Sequence, residues 1–129
     1  MKKGAHHDVG SALQDKLRII QELVPGKQLS LAHIIAHPDP VLYEKLGLLP
    51  DVAAAGEAIG ILTVSPAETA VIGADLVTKA AAVKLGFVDR FSGTVLFTGR
   101  VSEAEAAMQA VSAYVRETLG YSVCAITRT

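Results

Sequence analysis

The stretch LAHIIAHPDP, residues 31–40, brings together two histidines and an aspartate, which are residue types that can bind metal or transfer protons. His33 and His37 have i, i+4 spacing. On a helix both rings would lie on one face about 6 Å apart, close enough to share a metal ion. On a strand they also share a face, but they are separated by roughly 13 Å, too far for one ion. The chemistry therefore depends on the local structure.

Two features of this stretch favour a strand. The residue after His37 is a proline, which disfavours helical backbone at the residue before it. The run QLSLAHII alternates, with Leu29, Leu31 and His33 on one side. A shared metal site therefore loses its main support.

A catalytic site is also poorly supported. His37 and Asp39 could form a general base and its orienting carboxylate, but a His-Pro-Asp-Pro turn more often caps a helix at a corner. Cys124 lies in a strand-like run with no cue for thiolate activation. Glycines occur singly, without a nucleotide-binding pattern. The sequence predicts neither an enzyme nor a cofactor or metal site.

Composition sets further limits. With 129 residues the chain suits one domain, and 12 basic against 13 acidic residues leave no cationic surplus for nucleic acid. The single Cys124 allows no internal disulfide, and neither a secretion signal nor a membrane span is present, so we expect a cytoplasmic protein. Apolar residues make up 50% and charged residues 19%, which favours contact with other subunits over an alanine-rich monomer.

Capping signals predict two long helices in the second half. Ser65-Pro66-Ala67-Glu68 opens a helix expected to reach Ala82. Its predicted buried face comprises Ala67, Ala70, Val71, Ala74, Val77 and Ala81. The capping box Ser102-Glu103-Ala104-Glu105 opens another helix, expected to end at Gly120, with Ala104, Met108, Val111, Val115 and Leu119 at helical spacing.

The rest of the chain reads mainly as strands. VKLGFVDRFSGTVLFTG predicts a hairpin with its turn at residues 89–93, and AIGILTVS and SVCAITRT predict strands. Asp39-Pro40 should cap a short helix ending near Gly47. RIIQELV, residues 18–24, suits a helix or a strand about equally. The order of elements indicates an α/β fold, an α+β sandwich of helices over an antiparallel or mixed sheet.

The chain resembles a known family. GADLVTKAAAVKLGFVDRFSGTVLFTGRVSEAEAAMQAV looks like the bacterial microcompartment (BMC) shell domain. With RIIQELVPGKQLSLAHIIAHP ahead of it, the sequence resembles the circularly permuted single-domain shell proteins of ethanolamine- and propanediol-utilisation organelles. The likeness covers residues 18–129 as one permuted domain, after a tail at residues 1–17.

The resemblance implies a structural, non-enzymatic role. Such proteins form homohexamers that tile, with other shell proteins, into a shell around an aldehyde-producing pathway; enclosed enzymes are further partners. Residues 18–27 are expected to supply a strand and a turn to a six-stranded parallel β-barrel that caps the pore on the hexamer axis. The barrel strand would comprise Ile19, Ile20, Gln21, Glu22, Leu23 and Val24.

Two groups of residues match positions with a role in the family. Lys79 matches the lysine at the hexamer edge, with the small Ala80 and Ala81 beside it. Asp39 stands where the unpermuted class often has arginine, so the edge contact should differ, for instance as an attraction between Asp39 and Lys79. The hairpin that approaches the axis would comprise Asp89, Arg90, Phe91, Ser92 and Gly93.

Some alternatives stay open. Residues 1–17 exceed the family's length and could be a disordered tail or a short amphipathic helix that touches an enzyme or another shell protein. Rival functions are a regulatory α/β oligomer that binds a small molecule and, less favoured, an enzyme dependent on His37 and Asp39. The sequence does not decide which pathway the compartment serves.

Overall fold

The computed structural model describes residues 26–129, in which strands and helices alternate. The strands are β1 (Gln28–Ile35), β2 (Ala58–Ser65), β3 (Lys84–Asp89), β4 (Thr94–Gly99), β5 (Ser122–Val123) and β6 (Thr127–Arg128). The helices are α1 (Pro40–Lys45), α2 (Pro50–Ala55), α3 (Thr69–Ala80) and α4 (Val101–Glu117).

The strands form one open, mixed sheet. Its order is β3-β4-β2-β1-β5, with β6 also paired to β1. The pairs among β1, β2, β4 and β3 are antiparallel. β5 and β6 run parallel to β1, beside its beginning and its end respectively. The predicted α/β fold with helices over a mixed sheet is therefore confirmed.

Helices cover the two faces of the sheet unequally. On the first face, α3 and α4 bury the main core, which includes Leu29, Ala32, Ile34, Leu62, Val64, Val77, Phe97, Met108, Val111 and Val115. On the second face, a smaller cluster joins α1 and α2 to the sheet through Tyr43, Val52, Ile59 and Leu96. Only one face therefore carries a continuous helical layer.

Most predicted elements are present. The strand over QLSLAHII, the strand AIGILTVS and the hairpin around residues 89–93 lie where the sequence placed them. Asp39 caps α1, because its Oδ1 accepts a hydrogen bond from the backbone N–H of Val41 at 3.1 Å. These elements were predictable because their turn and capping residues act locally.

Both capping predictions for the long helices are wrong in position. Ser65 still belongs to β2, where it pairs with Gln28, so α3 begins only at Thr69 and ends at Ala80 rather than Ala82. Val71, expected on the buried face, is 54% exposed. The sheet register holds Ser65 in the strand and overrides its local preference for a helix cap.

α4 begins at Val101, one residue before the predicted capping box. Glu103 does not cap its own helix; its Oε1 accepts a hydrogen bond from the backbone N–H of Ala82 at 2.8 Å. The carboxylate therefore ties α4 to the connection between α3 and β3. Four of the five predicted apolar positions are fully buried, namely Ala104, Met108, Val111 and Val115.

Two further predictions need correction, and one helix was missed. A bulge between Leu29 and Leu31 shifts the register of β1, so Leu29 is buried whereas Leu31 is 40% exposed, and the two do not share a side. SVCAITRT forms two strands of two residues each instead of one. α2 was not predicted at all, although Pro50 stands at its start.

Part of the predicted organisation lies outside the described residues. The tail at residues 1–17 and the barrel strand at residues 19–24 fall there, and the described chain begins with a turn at Gly26 and Lys27. Within residues 26–129, none of the helices combines the length and the apolar character needed to cross a membrane.

Candidate assembly surfaces

Lys79 lies in the last turn of α3 and is largely exposed. Its Nζ is 2.8 Å from Oδ2 of Asp75, one turn earlier on the same helix. Hydrogen bonding to Asp75 raises the pKa of Lys79, so the ammonium is charged at neutral pH. Ala80 ends the helix, and Ala81 is already extended. The lysine thus stands at a helix end beside two small residues.

Asp39 lies at the same end of the sheet as Lys79. It follows β1, whose final residue Ile35 pairs with Ile59 near the start of β2. α3 follows the far end of β2 and runs antiparallel to it. Lys79, in the last turn of α3, therefore lies near the start of β2. The predicted attraction between Asp39 and Lys79 stays a prediction.

Asp89 organises the hairpin between β3 and β4. Its Oδ1 accepts hydrogen bonds from the backbone N–H groups of Phe91 at 2.9 Å and Ser92 at 3.2 Å, and its Oδ2 accepts one from the Ser92 hydroxyl at 2.8 Å. These bonds, that of the Phe91 N–H first, lower the pKa of Asp89. The turn is therefore fixed by its own residues.

The tip of the hairpin presents an aromatic ring to solvent. Phe91 is 82% exposed, and the guanidinium carbon of Arg90 lies 5.1 Å from its ring centroid. That distance suits a cation–π contact, which holds the two exposed side chains together. The tip therefore offers an exposed surface that is both aromatic and cationic.

The hairpin and Lys79 lie at opposite ends of the molecule. The backbone N–H of Val64, close to the end of β2, donates to the carbonyl of Gly93 at 2.9 Å. The turn therefore sits beside the residues that lead into α3. Lys79 lies at the far end of this helix of 12 residues, about 18 Å away at the usual rise per residue.

Of the described histidines, His33 and His37 do not lie together at a metal site. In β1, His33 bonds through Nδ1 to the Thr127 hydroxyl at 2.6 Å and through Nε2 to the Thr129 hydroxyl at 2.9 Å. His37 is exposed beyond the end of β1. Within residues 26–129, no three His, Cys, Asp or Glu side chains are grouped so that they could hold a metal ion.

Burial raises the pKa of Cys124, whose thiol is half-buried beside the core. A raised pKa keeps the thiol protonated at neutral pH, and the thiolate is the reactive form. Cys124 packs against the main core.

A polar cluster that the sequence did not predict lies at the end of the sheet nearest Asp39. Lys84 Nζ lies 3.0 Å from Asp51 Oδ2 and 3.6 Å from Glu57 Oε2. The hydroxyl of Tyr43 donates to the Glu57 carbonyl at 2.6 Å. Burial, and then the charge of Glu57, raise the pKa of Tyr43. The partners are far apart in sequence, so no local spacing reveals them.

Comparison with known proteins gives a family. The profile of the BMC domain matches residues 58–127, from β2 to β6. The bacterial microcompartment shell protein PduU of Salmonella typhimurium strain LT2 is 49% identical over 112 residues, which are 87% of this chain and 93% of that protein. The chain belongs to the BMC-domain shell proteins of bacterial microcompartments.

Solved structures of shell proteins agree with the fold. One described as the CutR flat hexamer has a TM-score of 0.76 at 40% identity, covering 84% of this chain and 96% of that one. A fused permuted hexameric shell protein from the RMM microcompartment has a TM-score of 0.61 at 21% identity, over 87% of this chain and 61% of that one, and so shares the fold. The BMC domain of this chain has the permuted arrangement, with β1, α1 and α2 ahead of the matched region.

Proposed function

We propose that this shell protein forms homohexamers that tile into a microcompartment shell, and that its role is structural. The separation of its two predicted contact groups supports this. Lys79, Ala80, Ala81 and Asp39 lie towards one end of the sheet, and the hairpin at residues 89–93 lies at the other. A hexamer that tiles needs two different ends on each copy, because one end must face the hexamer rim and the other the six-fold axis.

In the proposed hexamer, Lys79 and its two alanines meet a neighbouring hexamer at the rim, and Asp39 offers an opposite charge there. The pair of Lys79 with Asp75 is exposed on both sides, with 73% and 56% of the side chains accessible. Exposed pairs of this kind contribute little. The lysine is therefore free to exchange its partner for one across the tile edge.

The hairpin lies at the axis in this arrangement, so the symmetry gathers six copies of Phe91 and Arg90. A ring of aromatic side chains next to a ring of guanidinium groups would line the centre of the tile. The fixed turn around Asp89 holds both side chains in one place.

The start of β1 supports a barrel on the axis. Gln28 pairs with Ser65 of β2 on one side and with Ser122 of β5 on the other. Both edges of β1 are thus occupied from its first residue. β1 begins at the hairpin end of the sheet, which is the axial end in the proposed hexamer, so six copies of residues 19–24 would pair there into a parallel barrel that caps the pore.

The chemistry of His33 and Cys124 suits a structural role. Both ring nitrogens of His33 are engaged by threonine hydroxyls, and the thiol of Cys124 is protonated. The partners follow from the assembly: six copies of the chain, other BMC shell proteins at the tile edges, and enzymes enclosed behind the shell. The enclosed pathway would be one that produces an aldehyde.

Native mass spectrometry with electron microscopy tests the proposal. Purified protein should give a particle of six copies, and concentrated samples should show flat arrays of six-fold discs. A protein that stays monomeric at high concentration would overturn the hexamer and, with it, the shell role.

A further inference from the structure

The connection from α3 to β3 is short and has a defined backbone course. Ala80 ends α3 and is exposed, and Ala81 is extended, with φ −156° and ψ 168°. The backbone N–H of Val83 donates to the carbonyl of Ala81 at 2.9 Å. None of the described residues other than glycine has a positive φ, so this bond closes an inverse γ-turn centred on Ala82. We call residues 80–83 the rim segment.

The carboxylate of Glu103 binds the rim segment from another helix. Its Oε1 accepts a hydrogen bond from the backbone N–H of Ala82 at 2.8 Å. Such a bond to a charged group is stronger than one between neutral groups. Glu103 lies in the first turn of α4, where the helix dipole favours an acidic side chain. Ala104 and Val115 anchor the two ends of α4 in the main core, so the carboxylate has a rigid support.

The rim segment also rests on the end of the sheet. Gly99 is the last residue of β4. A Cβ added there would lie 3.0 Å from Cγ1 of Val83 and 3.2 Å from the carbonyl oxygen of Ala82, so glycine permits the close approach. The rim segment is therefore held between the end of β4 and the first turn of α4.

A fixed backbone is what the proposed contact between hexamers needs. In the proposed shell Ala80 and Ala81 meet a neighbouring hexamer, and their small side chains permit a close approach while the backbone that carries them keeps one course. Ordering a loose segment during association costs conformational entropy and weakens the contact. A segment that is already fixed avoids this cost, and each hexamer repeats the contact on six sides.

We propose that Glu103 is a positioning residue for the hexamer rim. Its carboxylate fixes the rim segment, so that Lys79, Ala80 and Ala81 are presented to a neighbouring hexamer in one arrangement. Glu103 acts through the backbone of Ala82 and not through its own contact with the neighbour. This inference rests on the proposed shell function and adds a residue of α4 to the rim.

Two substitutions at Glu103 test the carboxylate. Glu103→Ala removes the acceptor, so the protein concentration at which flat arrays appear should rise about tenfold or more, as expected when a hydrogen bond to a charged group is lost. Glu103→Gln keeps an oxygen that can accept the same N–H, so its arrays should appear within about threefold of the wild-type concentration. Light scattering and electron microscopy follow the arrays, and native mass spectrometry should show hexamers for both variants.

Glu117→Ala is the matched control, because Glu117 is an exposed glutamate at the other end of α4 and binds the adjacent Arg116. Its arrays should form as in the wild type. Hydrogen exchange followed by mass spectrometry should be faster across residues 80–83 in Glu103→Ala than in Glu103→Gln. Wild-type arrays in Glu103→Ala, or an equal loss of arrays in Glu103→Gln, would overturn the positioning role.

Ala82→Pro tests the donor and covers the case in which Glu103→Ala does not fold. Proline has no backbone N–H, and its fixed φ of about −65° suits the centre of an inverse γ-turn. The extended backbone of Ala81 is the one that a residue before proline prefers. Ala82→Pro should therefore form hexamers, with arrays weakened as in Glu103→Ala. Arrays at the wild-type concentration would contradict the inference.

Lys79→Ala separates this inference from the proposed function. If Lys79→Ala loses its arrays while Glu103→Ala and Ala82→Pro keep theirs, the positioning role alone fails. If arrays persist in Lys79→Ala, the proposed rim fails as well, and a monomeric wild-type protein would overturn the hexamer itself.

Discussion

The backbone N–H of Val64 donates to the carbonyl of Gly93 at 2.9 Å, which fixes the hairpin turn beside the end of β2. α3 starts from the same end and carries Lys79 to the other. The hairpin proposed for the axis and the lysine proposed for the rim therefore lie at opposite ends of the sheet.

Lys79→Ala should abolish flat arrays and leave hexamers intact, because in the proposed shell the lysine contacts a neighbouring hexamer and not a neighbouring subunit. The measurements are electron microscopy for the arrays and native mass spectrometry for the hexamer. Lys27→Ala is the control, since Lys27 is an exposed lysine at the hairpin end. Unchanged arrays in the Lys79 variant would refute its role at the edge.

Gly93→Ala should destabilise the chain more than Gly120→Ala. Both glycines have positive φ, +82° and +74°, which costs about 1–2 kcal/mol for another residue. A Cβ at Gly93 would also collide with the carbonyl oxygen of Val64, whereas a Cβ at Gly120 meets nothing within 4 Å. The collision should add about 1–3 kcal/mol.

Urea unfolding of the two glycine variants, side by side, measures this difference. Gly120→Ala reports the backbone cost alone and so serves as the control. Equal losses in both variants would mean that the hairpin does not rest closely against β2.

Asp89→Asn should lower the melting temperature at pH 7, because it removes the carboxylate that holds the turn. The pKa of Asp89 is lowered in the folded chain, so folding favours its ionised form. That stabilisation is present above the ordinary value of 3.8 and is lost as the pH falls through the lower folded value. Melting curves of both proteins should therefore converge below that pH. A constant gap down to about pH 2 would assign the effect to something other than ionisation.

Removal of residues 1–25 should leave folded hexamers with an open centre, because β2 and β5 hold both edges of β1 without the preceding segment. Negative-stain images should then show stain at the axis, where images of the full chain should show none. Removal of residues 1–17 alone is the control, since it keeps the proposed barrel strand. A closed centre in the shorter chain would rule out the barrel.

Local signals in the sequence predicted much of the fold. The strand β2, the hairpin and the cap at Asp39 depend on residues next to one another, and all three are present. The separation of His33 from His37 followed from a proline and from strand alternation, without knowledge of the family. The likeness to BMC shell proteins was likewise carried by contiguous stretches, and the comparisons confirm it.

Long-range contacts explain what could not be predicted. Ser65 has the character of a helix cap, but its pairing with Gln28 keeps it in β2. Glu103 belongs to a capping box by spacing, but it binds the backbone of Ala82 from the preceding connection. The bulge at Leu29 and the contacts of Lys84 likewise depend on partners that are distant in sequence.

A cryo-electron microscopy map of the assembled full-length protein tests the central claim most directly. The account predicts a six-fold particle with the hairpins at residues 89–93 and the strands at residues 19–24 around the axis, and with Lys79 at the rim. A map with the hairpins at the rim and Lys79 beside the axis, or without six-fold symmetry, would contradict it.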